Sequence, residues 1–189
     1  MKYLIVGLGN IGEQYAETRH NIGFDILNYF AGKHQFSFKS DRLADVGEIK
    51  FKGRTLIMIK PTTYMNLSGK AVKYWADKEK IPNDRILILV DDLAFGLDAL
   101  KLKKNGSDAG HNGLKSIAEC LATTDYPRLR FGIGNQFNKN RQVEFVLGKW
   151  KDEEIETVNK KIIAAAEVIE NFVTIGIERT MNEINNKKF

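Results

Sequence analysis

The chain predicts a single-domain α/β protein of three layers, α/β/α, around a twisted, mixed and mostly parallel sheet. Three observations carry this. Apolar strand-like runs alternate with helical patterns, which places helices over a mostly parallel sheet. Two strand runs near 45–51 and 54–60 are joined only by Lys52-Gly53, a hairpin that makes the sheet mixed. The 189 residues suffice for one domain with a real core, and no linker, repeat or composition break divides 1–189.

The elements follow in order. Residues 2–8 read as a buried strand, and the polar, aperiodic stretch 12–21 as a loop. Ile26, Leu27 and Phe30 share one side of a helix over about 22–33. After the hairpin, Pro61 closes its second strand. Ser68, a good N-cap residue, starts a helix that runs to about Glu79. R-I-L-I-L-V at 85–90 is a buried strand ending in Asp91-Asp92, and D-A-L-K-L-K at 98–103 alternates as an edge or one-sided strand. The loop K-N-G-S-D-A-G-H-N-G leads to a helix over about 113–122, and R-L-R-F-G-I-G at 128–134 is another strand. A helix spans about 152–172, with three acidic residues in its first turn to suit the dipole. Gly176 interrupts, and a short helix runs to about Asn185.

Composition narrows the function classes. Hydrophobic residues make up 43%, and no apolar run nears the ~20 residues a membrane helix needs. The start M-K-Y-L-I-V-G-L-G-N has too short an apolar run for a signal peptide, so a soluble cytoplasmic protein is expected. Net charge of +5 permits a polyanionic partner without requiring one. Cys120 has no disulfide partner and is expected as a buried structural thiol. One Cys and three scattered His argue against structural zinc.

Gly7-Leu8-Gly9-Asn10-Ile11-Gly12 has the spacing of a dinucleotide fingerprint. In such a site the helix opens at the glycines, and an acidic residue follows about 20 positions on. Here some ten polar residues intervene, and the segment A-G-K-H-Q-F-S-F-K holds no acid. A nicotinamide or flavin oxidoreductase is therefore disfavoured. What remains is an Asn on a tight turn beyond a strand end, where open α/β sheets bind ligands.

Other polar residues fall at similar places. His20-Asn21 precede the first helix, Asn66 the second, and His111-Asn112 the third; Asp91 ends the central strand. If these ends share one face, one cleft holds a His, a carboxylate and several amides. A neutral His can take a proton from water, a carboxylate can fix its tautomer, and amide NH₂ groups can bind an oxyanion. No Gly-x-Ser-x-Gly is present, so water is the expected nucleophile. Each residue alone has a plainer reading: Asn10 as a turn residue, His20 as a surface or cap histidine, Asp91-Asp92 as a strand-end turn, Asn112 as an N-cap. His34 reads as structural or solvated.

Taken together the stretches resemble the bacterial peptidyl-tRNA hydrolase family. They are L-I-V-G-L-G-N at the start, Y-A-E-T-R-H-N-I-G at 15–23, K-P-T-T-Y-M-N-L-S-G at 60–69 and V-D-D-L at 90–93. G-H-N-G-L-K-S-I at 110–117, R-L-R-F-G-I-G at 128–134 and F-V-L-G at 145–148 complete the series, in the family's order and across nearly the whole chain. The resemblance implies a cytoplasmic, usually monomeric esterase. It would cleave the ester between a peptide and the terminal ribose of tRNA, sparing aminoacyl-tRNA with a free amine, with no metal and no cofactor.

By position the resemblance makes His20 the general base and Asp91 its holder. Asn10 would help hold His20 and distinguish blocked from free amines. Asn66 and Asn112 would bind the peptide backbone and the reacting carbonyl or water. Tyr15 and Tyr64 would line the site around the tRNA 3′ CCA end, with Met65 and His111 as further contributors. Lys103 and Arg130 would meet acceptor-stem phosphates. Ala94, the loop K-N-G-S-D-A-G and G-N-Q-F at 134–137 depart from the family pattern, and Tyr64 replaces a commoner Phe. A different class remains open: a non-catalytic RNA-binding protein on the same scaffold, which would have little use for the intact polar set.

Overall fold

The computed structural model describes residues 1–189. Seven strands form one sheet: β1 (Lys2–Gly7), β2 (Lys39–Asp41), β3 (Ala44–Phe51), β4 (Arg54–Pro61), β5 (Ile86–Asp92), β6 (Leu100–Lys103) and β7 (Arg128–Gly132). Six helices accompany them: α1 (Ile22–His34), α2 (Ser68–Glu79), α3 (Asn112–Leu121), α4 (Gln142–Val146), α5 (Ile155–Ile175) and α6 (Ile177–Ile184). The strand order is β2-β3-β4-β1-β5-β7-β6. The central strands β4, β1, β5 and β7 run parallel, while β2 and β3 on one flank and β6 on the other pair antiparallel. The sheet is thus mixed, with its parallel part at the centre.

The central strands read as continuous apolar runs because both faces are covered. Tyr3 and Ile5 of β1, Leu56 and Met58 of β4, and Leu87 and Leu89 of β5 share a core with Ile26, Phe30, Ile169 and Phe172 of α1 and α5. The alternate residues Leu4, Val6, Ile57, Ile59, Ile86 and Ile88 face Val72 and Trp75 of α2 and Leu114 and Ile117 of α3. A two-residue period in the strands therefore feeds two cores.

Strand β1 lies between β4 and β5, so the chain leaves it on opposite sides and its end is the sheet's switch point. Gly7 answers for part of the glycine motif there. A Cβ on Gly7 would sit 2.3 Å from the Gly23 carbonyl, and one on Gly23 would sit 2.4 Å from the Leu8 nitrogen. The glycines let α1 press against the ends of β1 and β5, ten residues after Gly12. These two serve packing, and the first α-helix opens at Ile22, not at the motif as a pyrophosphate site would have it.

Several local expectations are corrected. The stretch 12–21 holds two single helical turns, Glu13–Tyr15 and Arg19–Asn21. Ser68 is the first residue of α2 and caps nothing; a turn at Met65–Leu67 runs straight into the helix, and the Ser68 hydroxyl donates back to the Met65 carbonyl at 2.7 Å. At α3 the cap is His111, whose Nδ1 accepts from Gly113 N–H at 3.0 Å, and Asn112 is already helical. The long helix is preceded by a turn at Asp152–Glu154 and extends to Ile175. Cys120 is half-buried, its sulfur packed toward Gly69 of α2. Strand β2 and helix α4 were not expected; neither contains a buried residue to give a pattern. No helix is long and apolar enough to cross a membrane.

Candidate active site

The carboxyl ends of β1 and β5 and the starts of α1 and α3 converge on a cavity of about 330 Å³. Asn10, His20, Met65, Asn66, Asp91, His111, Asn112 and Arg130 line it, so the expected polar set is brought together.

At its centre two imidazoles share one carboxylate. His20 Nδ1 lies 2.9 Å from one Asp91 oxygen, and His111 Nε2 lies 2.9 Å from the other. The rings stand 4.9 Å apart between centroids. The network assigns the tautomers. His111 Nδ1 accepts from Gly113 N–H, so its proton is on Nε2 and points at Asp91. An ionised Asp91 only accepts, so His20 donates from Nδ1 and leaves Nε2 bare. Burial alone would push the Asp91 carboxyl up, but His111 and His20, by charge and hydrogen bond, hold it well below the usual carboxylate range. Burial opposes a charged His20; Asp91 outweighs it, and the His20 pKa lies above its ordinary value of 6.5.

The same three residues offer donor atoms within 4.8 Å of one another, as a metal site would. Two ligands of a tetrahedral ion at about 2.1 Å stand about 3.4 Å apart. The pairs here are at 2.9 Å with N–H groups between them, which is hydrogen-bond spacing. The trio is held together by hydrogen bonds.

Asn21 has a part that the residue types alone did not assign. Its Oδ1 accepts from Asn10 N–H at 2.8 Å and its Nδ2 donates to the Asn10 carbonyl at 2.8 Å. This bracket fixes the backbone of Asn10 against the turn that carries His20. Its only sequence signal is its place beside His20.

Two expected contacts, Tyr64 and Tyr15, lie off the cavity wall. Tyr64, the extended residue just before the turn Met65–Leu67, is 77% exposed and off the wall. Tyr15, half-buried on the turn 13–15, is also off the wall. Arg130 reaches the cavity but is buried and engaged: Nη1 pairs with Asp92 Oδ2 at 3.0 Å and Nη2 donates to the Ser107 carbonyl at 2.6 Å. It holds the loop before His111 in place and presents no exposed charge to a phosphate. Lys103, at the end of the edge strand β6, is half-buried.

An open α/β sheet with a His–Asp pair and carboxamides at its switch point defines an enzyme of the hydrolase class. The profile of the peptidyl-tRNA hydrolase family matches residues 4–189. Peptidyl-tRNA hydrolase of Phocaeicola vulgatus is 53% identical over 187 residues, covering 99% of this chain and 100% of that one. That of Bacteroides fragilis is 52% identical with the same coverage. The crystal structure of peptidyl-tRNA hydrolase from Acinetobacter baumannii superposes with a TM-score of 0.93 at 35% identity, over 98% of this chain and 95% of the other. The chain belongs to the peptidyl-tRNA hydrolase family, and its reaction is the hydrolysis of peptidyl-tRNA. A non-catalytic RNA-binding role on this scaffold is not favoured.

Proposed function

We propose that His20 activates the attacking water. The observation that carries this is the Asp91–His20 contact at 2.9 Å, which leaves a bare Nε2 in a cavity lined by four carboxamides, those of Asn10, Asn66, Asn112 and Gln142. His20 Nε2 takes a proton as the water oxygen attacks the ester carbonyl carbon. The carbonyl electrons move onto oxygen, and the NH₂ group of Asn112 receives the oxyanion, while Asn10 distinguishes a blocked from a free amine. Asn66 holds the peptide backbone. When the intermediate collapses, the C–O bond to the ribose breaks and the leaving oxygen takes the proton back from His20. Asp91 balances the imidazolium throughout and stays ionised.

Binding of the acceptor stem and 3′ end would place the ester against His20, with Lys103 as a phosphate contact. The excess of basic residues, +5 overall, suits such a partner. Family membership supports a monomer acting in the bacterial cytoplasm that recycles tRNA from aborted translation. The test is hydrolysis of an N-acetylated aminoacyl-tRNA beside the same tRNA with a free amine, for wild type and His20→Ala. Cleavage of the blocked substrate alone, by wild type alone, with tRNA binding kept in the variant, is expected. Near-normal turnover in His20→Ala would remove His20 from this role.

A further inference from the structure

One wall of the cavity is α4 and the residues just after it: Gln142, Val143, Val146 and Leu147. This helix has five residues and none is buried. A single turn and a half does not hold its own shape in water, so its position must come from its attachments. Phe145 and Val146 pack against the core and Phe145 stacks on Phe137, but the polar attachments run to one residue. Arg19 Nη1 donates to the Phe145 carbonyl at 3.2 Å, which also accepts from Gly148 N–H at 3.1 Å in the last turn. Its Nη2 pairs with Glu154 Oε1 at 2.9 Å. The guanidinium lies 4.3 Å from the centre of the Phe145 ring. The main chain repeats the link, because Arg19 N–H donates to the Gly148 carbonyl at 3.0 Å and Thr18 bridges Lys149. Gly148 leaves room for this, since a Cβ there would stand 2.9 Å from Arg19 Nη1. The next residue in the chain is His20.

We propose that Arg19 is a positioning residue that sets the spacing between His20 and the α4 wall. One side chain grips the wall and one peptide bond away the backbone carries the imidazole, so the two sides of the cleft share an anchor. The peptide–ester end of the substrate must fit between them. This rests on His20 being the base. Asp91 and His111 hold His20 from the other side, so losing Arg19 should change the fit of substrate and leave the titration of His20 in place.

The test uses Arg19→Met, which keeps much of the stem packing, and Glu154→Gln, which weakens the far contact and leaves the His20 turn intact. Hydrogen exchange over 142–148 reads the wall without any substrate. The expected result for Arg19→Met is exchange at least tenfold faster in that segment. KM for N-acetylaminoacyl-tRNA should rise at least fivefold with a smaller change in kcat, and the acid limb of the pH profile should stay unmoved. Glu154→Gln should show the same changes in smaller degree. Unchanged exchange, or kinetic constants within twofold of wild type in folded Arg19→Met, would overturn the proposal. So would a shifted acid limb, which would mean that Arg19 acts on His20 itself. If Arg19→Met does not fold, unchanged exchange and KM in Glu154→Gln overturn it. Activity of wild type and inactivity of His20→Ala, measured alongside, separate a failure of this proposal from a failure of the His20 assignment.

Discussion

Replacing Asp91 with Asn probes the shared carboxylate. The change keeps the size of the side chain and deletes its charge. His111 cannot stop donating toward residue 91, because its Nδ1 is already taken by Gly113 N–H. The new amide therefore turns its oxygen to His111 and its NH₂ to His20. That NH₂ donates into His20 Nδ1 and drives the His20 proton onto Nε2, the atom that must be bare to accept one from water. The imidazolium formed in the reaction also loses its counter-charge. At about 4 Å between charge centres and an effective dielectric of about 20, that attraction is worth about 4 kcal/mol, or about a thousandfold in rate. The wrong tautomer acts in the same direction, and an Asp-to-Asn change in a serine-protease triad costs about 10⁴. The expected loss in kcat/KM on N-acetylaminoacyl-tRNA is therefore about 10³–10⁴-fold. The pH axis gives a second readout. His20 works as a neutral base, so activity appears as pH rises through its pKa, which lies above 6.5 in the native protein. Without the Asp91 charge, burial acts unopposed and the acid limb of the residual activity moves to lower pH. Activity within tenfold of wild type, with the limb unmoved, would refute both the tautomer assignment and the charge-balancing role.

Three further outcomes concern charged residues. Lys103→Ala should weaken tRNA binding and lower the slope of log K against log salt by about 0.9, the share of one phosphate contact. Arg130→Met should leave that slope alone and instead cost about 3–5 kcal/mol of stability, because Asp92 is left buried without its partner; a flattened slope with normal stability would make Arg130 a phosphate ligand after all. Burial, helped by Glu17 and opposed by Lys60, raises the Asp25 carboxyl to about 7. A raised carboxyl gives stability that is complete below the unfolded value of 3.8 and is lost as pH climbs through about 7. Asp25→Asn should then stabilise the protein at pH 8 by about 1–2 kcal/mol, allowing for solvent screening, and by little near pH 4. Equal gains in denaturant unfolding at the two pH values would show that Asp25 is not held protonated.

What could be read from the chain, and what could not, divides along a physical line. The buried strands and the amphipathic helices were legible because burial writes a period into consecutive residues. Strand β2 and helix α4 were not, since every residue in β2 is exposed and none in α4 is buried. The cleft was legible in part. Asn10, His20, Asp91 and Asn112 sit at element ends, and element ends can be located from periodicity. Whether a side chain there is free or engaged depends on partners far away in sequence. Arg130 reads, by family resemblance, as a basic residue free to meet a phosphate until Asp92 and the Ser107 carbonyl are found to occupy it. Asn21 reads as an ordinary helix-start residue until both its amide atoms are found on Asn10. His111 shows the same limit most sharply. As a residue type it could be a second base. Its Nδ1 is committed to the first turn of α3 and its Nε2–H to Asp91, so it cannot take a proton from water without uncapping a helix. Two histidines of the same chemistry beside one carboxylate thus have different work. The difference lies in a single backbone N–H, that of Gly113, which reaches one ring and not the other.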